Sequence, residues 1–176
     1  MAKESKPSVA DILAKSKLFS GITKSQIRLI APLGLHLSVN KGRHVFTQGQ
    51  EAKYLYIVGK GRLAMQNKLT RPDGSVTHTT TVASAGPGDS FGWPSVIEPH
   101  VYSLSSYAVE DPELVMIPGQ DLIRVLESHS DLGYRLMKNL ALLLASRLDD
   151  IREAFVYERD WLFEEKNSRK RAKKRE

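Results

Sequence analysis

The sequence predicts a mainly β domain with helices on either side, and three observations carry that prediction. Residues 33–118 break into short strand-like runs separated by Gly- and Pro-bearing turns. Residues 8–30 place apolar side chains at helical spacing. From Pro118 onward the apolar period is again 3.6. Many short strands joined by tight turns favour a closed or nearly closed sheet, because closure removes exposed strand edges. The expected segments are N-terminal helices over 1–32, a β-roll ligand-binding core over 33–118, C-terminal helices over 119–165 and a basic tail over 166–176.

Val9, Ile12 and Leu13 line one face of a first short helix, and Ile27, Leu29 and Ile30 that of a second. Thr23, with Gln26 three residues on, has the pattern of a capping box at the start of the second. Lys41-Gly42-Arg43 and Gln48-Gly49-Gln50 read as turns around Val45-Phe46. Tyr54–Val58 and Arg62–Met65 read as strands joined by Gly59-Lys60-Gly61. Leu63–Leu69 and Val76–Val82 flank Arg71-Pro72-Asp73-Gly74, where proline presets one turn angle and glycine accepts a positive one, so the pair is a hairpin. Ser103–Val109 and Glu113–Ile117 complete the β series, with Asp111-Pro112 at the turn between them.

Asp121–Ser128 is a short helix interrupted at Ser128-His129-Ser130. A longer one is expected from about Asp131 to about Glu165, roughly 50 Å at 1.5 Å per residue. Leu132, Leu136, Leu140 and Leu143 form one apolar stripe, expected to pack on the β body. Met137, Ala141, Leu144, Leu148, Ile151, Phe155, Glu158 and Leu162 form another, with steps alternating four and three. That alternation is the seam of a two-stranded coiled coil, so a homodimer is expected through Met137, Leu144, Leu148, Ile151, Phe155 and Leu162. The alternative is a helix folded back on its own body.

Composition excludes several chemistries. The 176 residues include no cysteine, which removes disulfides, thiolate catalysis and Cys-ligated metals. The N-terminus lacks the apolar run of a secretory signal, and no stretch approaches the ~20 apolar residues of a membrane span. A cytoplasmic protein is expected. Net charge is +6, but residues 166–176 hold seven of the 26 Lys/Arg and one of the 20 Asp/Glu, so residues 1–165 carry nineteen of each. A neutral body argues against a broad nucleic-acid-binding face. The tail from Lys166 to Arg175 can meet nucleic acid or another anionic surface, or simply stay solvated.

The run from Lys41 to Gly49, then Leu55-Tyr56-Ile57-Val58 and Gly61-Arg62-Leu63, resembles the first half of a cyclic-nucleotide-binding domain. Pro87-Gly88-Asp89 followed by Phe91-Gly92 matches the same family at the mouth of its phosphate-binding cassette. The order of helix, β-roll and long C-terminal helix agrees. Over roughly residues 18–148 the chain is similar to the effector module of the cAMP-receptor-protein group of bacterial regulators. The resemblance implies a jelly roll (a double-stranded β-helix) with a long dimerisation helix, and cAMP or cGMP as effector.

Two positions depart from the family pattern. Members that bind cAMP carry glutamate straight after Phe-Gly for the ribose; here that residue is Trp93. They carry an arginine some ten residues later for the cyclic phosphate, and Val101–Ser106 has none. No lysine or arginine occurs between Arg71 and Arg124. A desolvated phosphate needs a compensating cation. Losing a charge-assisted contact costs about 1.5–3 kcal/mol, roughly ten- to a hundredfold in affinity. Pro94 also brings no N–H to the cassette helix.

The candidate ligand-binding residues are Gly88, Phe91, Gly92, Trp93, Ser95, His100, Ser103 and Ser105. Of the two histidines in the gap, His78 and His100, His100 is the potential cation near the cassette, and the serines donate hydrogen bonds without charge. Arg62, Arg135 and Lys138 are cations that a neighbouring strand or helix could bring to the pocket. Trp93 is either a stacking surface or an apolar plug. The five histidines show no metal-ligand spacing, Gly86-Pro87-Gly88 lacks the Gly-Lys-Ser/Thr of a nucleotide loop, and no nucleophile elbow occurs, so no enzyme is expected.

The expected function is a stand-alone sensor or regulatory module of a bacterial signalling pathway, without a helix-turn-helix and acting on a downstream protein. The alternatives are a ligand-free dimeric interaction module, or a module that takes a neutral or aromatic ligand instead of cAMP.

Overall fold

The computed structural model describes residues 7–172, and describes side chains up to Val156 apart from Val76, Thr77 and Ala154. It divides into two compact units, one ending at Asn139 and one beginning at Leu140.

In the first unit, α1 (Val9–Lys15) and α2 (Lys24–Ile30) each start with a capping box, Ser8 with Asp11 and Thr23 with Gln26. In each box the N-cap side chain accepts from the third helical N–H while the third side chain reaches back to the cap N–H, satisfying two end donors at once. Ile12, Leu13, Ile27 and Ile30 are the buried faces of these helices; Leu18 and Phe19, in the 3-10 turn Lys17–Phe19, are buried beside them.

Eight strands follow: β1 (Leu35–Ser38), β2 (His44–Phe46), β3 (Tyr54–Lys60), β4 (Leu63–Thr70), β5 (Val76–Ala85), β6 (Ser90–Phe91), β7 (Ser105–Ala108) and β8 (Glu113–Pro118). They form two four-stranded sheets, in the orders β1-β8-β3-β6 and β2-β7-β4-β5. All pairings are antiparallel. This is the jelly-roll architecture. Both sheets supply one apolar core, with Tyr56, Val58, Phe91 and Leu114 from the first and Phe46, Leu63, Met65 and Ala85 from the second.

The β4–β5 hairpin closes at Asp73-Gly74, where the Ser75 N–H donates to Asp73 Oδ1 at 2.8 Å. Strand β7 is shorter than Ser103–Val109, because the chain before it leaves that sheet. Gly49 N–H donates to Tyr102 O (2.8 Å) and Tyr102 N–H to Gln50 O (2.9 Å), so residues 101–102 pair with the β2–β3 turn instead.

Helix α3 (Gly119–Ser128) begins two residues before Asp121. Pro118 at its N-cap already has a helix-compatible φ of −58°. Gly119 is demanded by space: a Cβ there would collide with the Ser95 carbonyl oxygen. After His129 comes α4 (Ser130–Ala172), whose Leu132 and Leu136 are completely buried. In the second unit, from Leu140 on, the helix exposes Leu144, Leu148, Ile151 and Phe155. The side chains of Leu162 and of the basic tail lie outside the described residues.

Candidate ligand-binding cassette

The cassette starts at a tight turn. Gly86 N–H donates to Asp89 Oδ2 (3.0 Å), Gly88 N–H to Val58 O (2.8 Å), and Val58 N–H to Asp89 O (2.9 Å), which binds the turn to β3. The turn also holds the N-terminal helices: Lys17 N–H donates to Gly88 O at 3.2 Å, and Lys17 Nζ lies 3.0 Å from Asp89 Oδ1.

β6 then carries Phe91 into the core and the chain reverses at Gly92. Gly92 is left-handed, with φ 82°, and a Cβ there would sit 2.7 Å from Tyr54 O. Only glycine meets both conditions. The short 3-10 helix Trp93–Ser95 follows, and its Ser95 and Val96 N–H groups are turned inward to Gly92 O and Trp93 O.

Tyr102 is the centre of the site. It is 4% exposed, and its ring stacks on Phe46 with centroids 3.7 Å apart and planes 11° apart. Phe91 stacks on Tyr56 at 5.1 Å, and Phe46 lies within 5.9 Å of both Tyr56 and Phe91. Four rings therefore fill the roll beside the cassette.

The Tyr102 hydroxyl serves the backbone. Strand β6 registers with Tyr56 and Ile57 and ends at Phe91, so Tyr54 lies beyond its reach. The hydroxyl donates to Tyr54 O (2.9 Å) and accepts from Tyr54 N–H (3.2 Å) in its place. Burial is the first cause raising both the Tyr56 and Tyr102 hydroxyls above the ordinary phenol range, so both stay neutral. In the segment where the family's phosphate arginine would lie, an aromatic side chain is built into the core.

The sequence-predicted residues take different places. Phe91 and Gly92 join the aromatic group, and Trp93 follows directly, half-buried, with its Nε1 sealed from solvent and unpartnered. Gly88 belongs to the turn that meets Lys17. Ser95 is buried against Gly119 at the start of α3 rather than offered to a ligand. Ser105 Oγ accepts from Gln48 N–H at 3.0 Å, and Ser103 is exposed. His100, left-handed at φ 57°, donates from Nδ1 to Pro94 O at 2.9 Å, tying its loop to the 3-10 helix.

Of the outside cations, Arg62 lies 3.9 Å from Glu110 and Arg135 3.2 Å from Asp131. Among the described residues no cluster of three or more His, Asp or Glu is placed to hold a metal. Tyr102, Phe46 and Tyr54 were not singled out from sequence. The signal was a tyrosine inside the very stretch that lacks its cation.

One more contact set links the cassette turn to α4. Asn139 Nδ2 donates to Leu18 O (2.9 Å) and Ser20 O (2.8 Å), and Gln26 Nε2 donates to Asp131 Oδ2 (2.9 Å). The N-terminal segment is thus held at Gly88-Asp89 on one side and by α4 on the other.

Comparison with known proteins agrees with this architecture. The cyclic nucleotide-binding domain family matches residues 36–129, just over half of the chain, and the chain belongs to that family. The cyclic AMP receptor protein of Thermus thermophilus is 32% identical over 137 residues, covering 76% of this chain and 57% of that protein. A lysophospholipase NTE1 of Chaetomium globosum is 30% identical over 114 residues, covering 65% of this chain and 7% of that protein. A cyclic nucleotide-binding domain of Methylobacillus flagellatus shares the fold at a TM-score of 0.72 and 20% identity, over 85% of this chain and 82% of that one. The chain spans little more than half of the first of these relatives and a small fraction of the second. Among the described residues no helix is long and apolar enough to cross a membrane.

Proposed function

We propose that this chain is a regulatory, non-catalytic module of a bacterial signalling pathway whose cassette does not recognise a cyclic phosphate by charge pairing. The observation that carries the reading is Tyr102, stacked and buried in the stretch where the phosphate cation would be. The 3-10 helix adds to it, because Pro94 has no N–H and the next two amides are turned inward. With no cation to offset its desolvation, a bound phosphate forfeits roughly ten- to a hundredfold in affinity.

The output element is α4. Its exposed row of Met137, Leu144, Leu148, Ile151 and Phe155 favours pairing with the same helix of a second copy, since three of these side chains are more than half exposed. A change at the cassette would reach α4 through the 3-10 helix, which rests on Gly119, and through the α3–α4 junction, where a Cβ on Gly133 would lie 2.8 Å from Leu126 O. A downstream protein then reads the state of the paired helices.

Calorimetric titration of the full chain with cAMP and cGMP tests the reading. No saturable heat below about 1 mM nucleotide is expected. Micromolar binding of either would overturn it. Sedimentation tests the dimer: the chain should sediment as a dimer, and Leu148→Asp with Ile151→Asp should return it to monomer.

A further inference from the structure

Four strands stand at sheet edges: β1 and β6 in one sheet, β2 and β5 in the other. Three of them are short, β1 with four residues, β6 with two and β2 with three, whereas β5 runs for ten. A long edge is a template for another strand, and proteins commonly blunt it with charge, proline or a bulge. β5 lacks the first two, since no Asp, Glu, Lys, Arg or Pro occurs from Ser75 to Gly86. Its pairing with β4 shifts register between Met65 and Gln66 and between Leu69 and Thr70. Between those points it is regular, from Gln66 opposite Thr81 to Leu69 opposite His78.

The regular stretch is also the open one. His78, Thr79, Thr80, Thr81 and Val82 are all exposed. Consecutive strand residues point to opposite faces, so exposure of all five means that this part of the hairpin extends past the core. Among the described residues β4 is the one strand beside it. Threonine and valine nonetheless favour extended backbone, so the strand holds its shape where no core supports it.

The composition of this edge suits a copy of itself. A two-fold contact needs a self-complementary strand. An antiparallel pair centred on Thr80 sets Thr80 opposite the same residue of the second copy, and Thr79 opposite Thr81. Thr–Thr cross-strand pairs are favourable, while like charges directly opposite are destabilising, and this stretch has no Asp, Glu, Lys or Arg to oppose.

We infer that β5 is a self-association edge separate from the α4 row: two copies of this chain join antiparallel through residues 78–82, and two four-stranded sheets become one of eight strands. The contact is weak. One strand edge buries far less than the roughly 1,200 Å² of a standard interface, so a Kd of about 0.1 mM is expected. Acting together, the β5 edge and the exposed row of α4 link dimers into tetramers or longer rows. Neither contact involves the cassette.

The test uses the full chain carrying Leu148→Asp and Ile151→Asp, which disables the α4 row and leaves the β5 edge. This variant should sediment mostly as a monomer at about 10 µM and mostly as a dimer at about 0.5 mM. Amide hydrogen exchange over residues 78–82 should slow about threefold between the two concentrations. Adding Thr80→Asp sets two carboxylates opposite each other and should keep the chain monomeric at about 0.5 mM, as should Thr80→Lys; an equal mixture of the two should restore the dimer. Thr80 is exposed, so neither change should move the melting temperature.

No association up to about 1 mM would overturn the inference and leave the edge to a strand of a different protein. Association with unchanged exchange at 78–82, association that persists in Thr80→Asp, or a mixture that stays monomeric would each overturn it as well. In the parent chain the two contacts fail separately. Loss of the α4 pairing shows as no dimer at about 10 µM, and loss of the β5 pairing as a dimer that does not grow by about 0.5 mM.

Discussion

Replacing Tyr102 by phenylalanine isolates one hydroxyl in the middle of the site. The ring stack on Phe46 survives, because its geometry needs only the ring. What is lost are the bonds at 2.9 and 3.2 Å to Tyr54 O and Tyr54 N–H. Tyr54 lies past the end of β6, so no neighbouring strand replaces the hydroxyl there. An unsatisfied buried backbone group costs about 1–3 kcal/mol, and half-burial of Tyr54 places each group toward the lower end, so the pair costs about 2–3 kcal/mol. For a chain of this size that lowers the melting temperature by about 5–10 °C. Urea denaturation followed by circular dichroism reads the change as a lower midpoint at constant slope. Tyr107→Phe is the control, expected within about 0.5 kcal/mol of the parent, as for a substitution away from buried networks. A Tyr102→Phe variant as stable as that control would refute the assignment of the hydroxyl to the Tyr54 backbone.

Other outcomes follow from the same geometry. Tyr56 and Tyr102 titrate above their unfolded values, so the folded state holds protons that the unfolded state releases; stability should be flat below about pH 10 and fall above it by up to about 1.4 kcal/mol per pH unit for each retained proton. Thermal melts from pH 7 to 11 check this, and unchanged stability at pH 11 would contradict it. Gly119→Ala pushes a methyl into the Ser95 carbonyl and should cost about 3 kcal/mol or more, with Gln120→Ala as an inert neighbour in the same denaturation assay. Asn139→Ala removes two bonds to the Leu18 and Ser20 carbonyls and should cost about 1–2 kcal/mol, whereas Lys17→Ala removes a largely exposed ion pair and should cost no more than about 1 kcal/mol.

The strands were legible wherever Gly and Pro punctuated them, because turn chemistry is local. The hairpin around Asp73-Gly74 and the break at His129 are visible in a few adjacent residues. The resemblance carried the rest of the fold through several short motifs in the right order. The interior of the site was not legible in the same way. Phe46, Tyr56, Phe91 and Tyr102 stand far apart in sequence, and each alone reads as an ordinary strand residue; only the closing of two sheets stacks them. Ser95 looked like a free donor because its burial depends on a glycine at the start of α3. Asn139 looked like any polar position on a helix, since the carbonyls it meets belong to the other end of the unit.

That last contact changes where the working unit begins and ends. The family is defined by its sheets, and its match here runs from residue 36 to residue 129. Of the hydrogen-bonded chain from Asp89 through Lys17 and Leu18 to Asn139, only Asp89 lies inside that interval. A fragment cut at the family boundaries would keep the cassette and the aromatic core yet lose the strap that ties the cassette turn to α4. Such a fragment would lack the contacts through which the proposed signal passes from the cassette to α4.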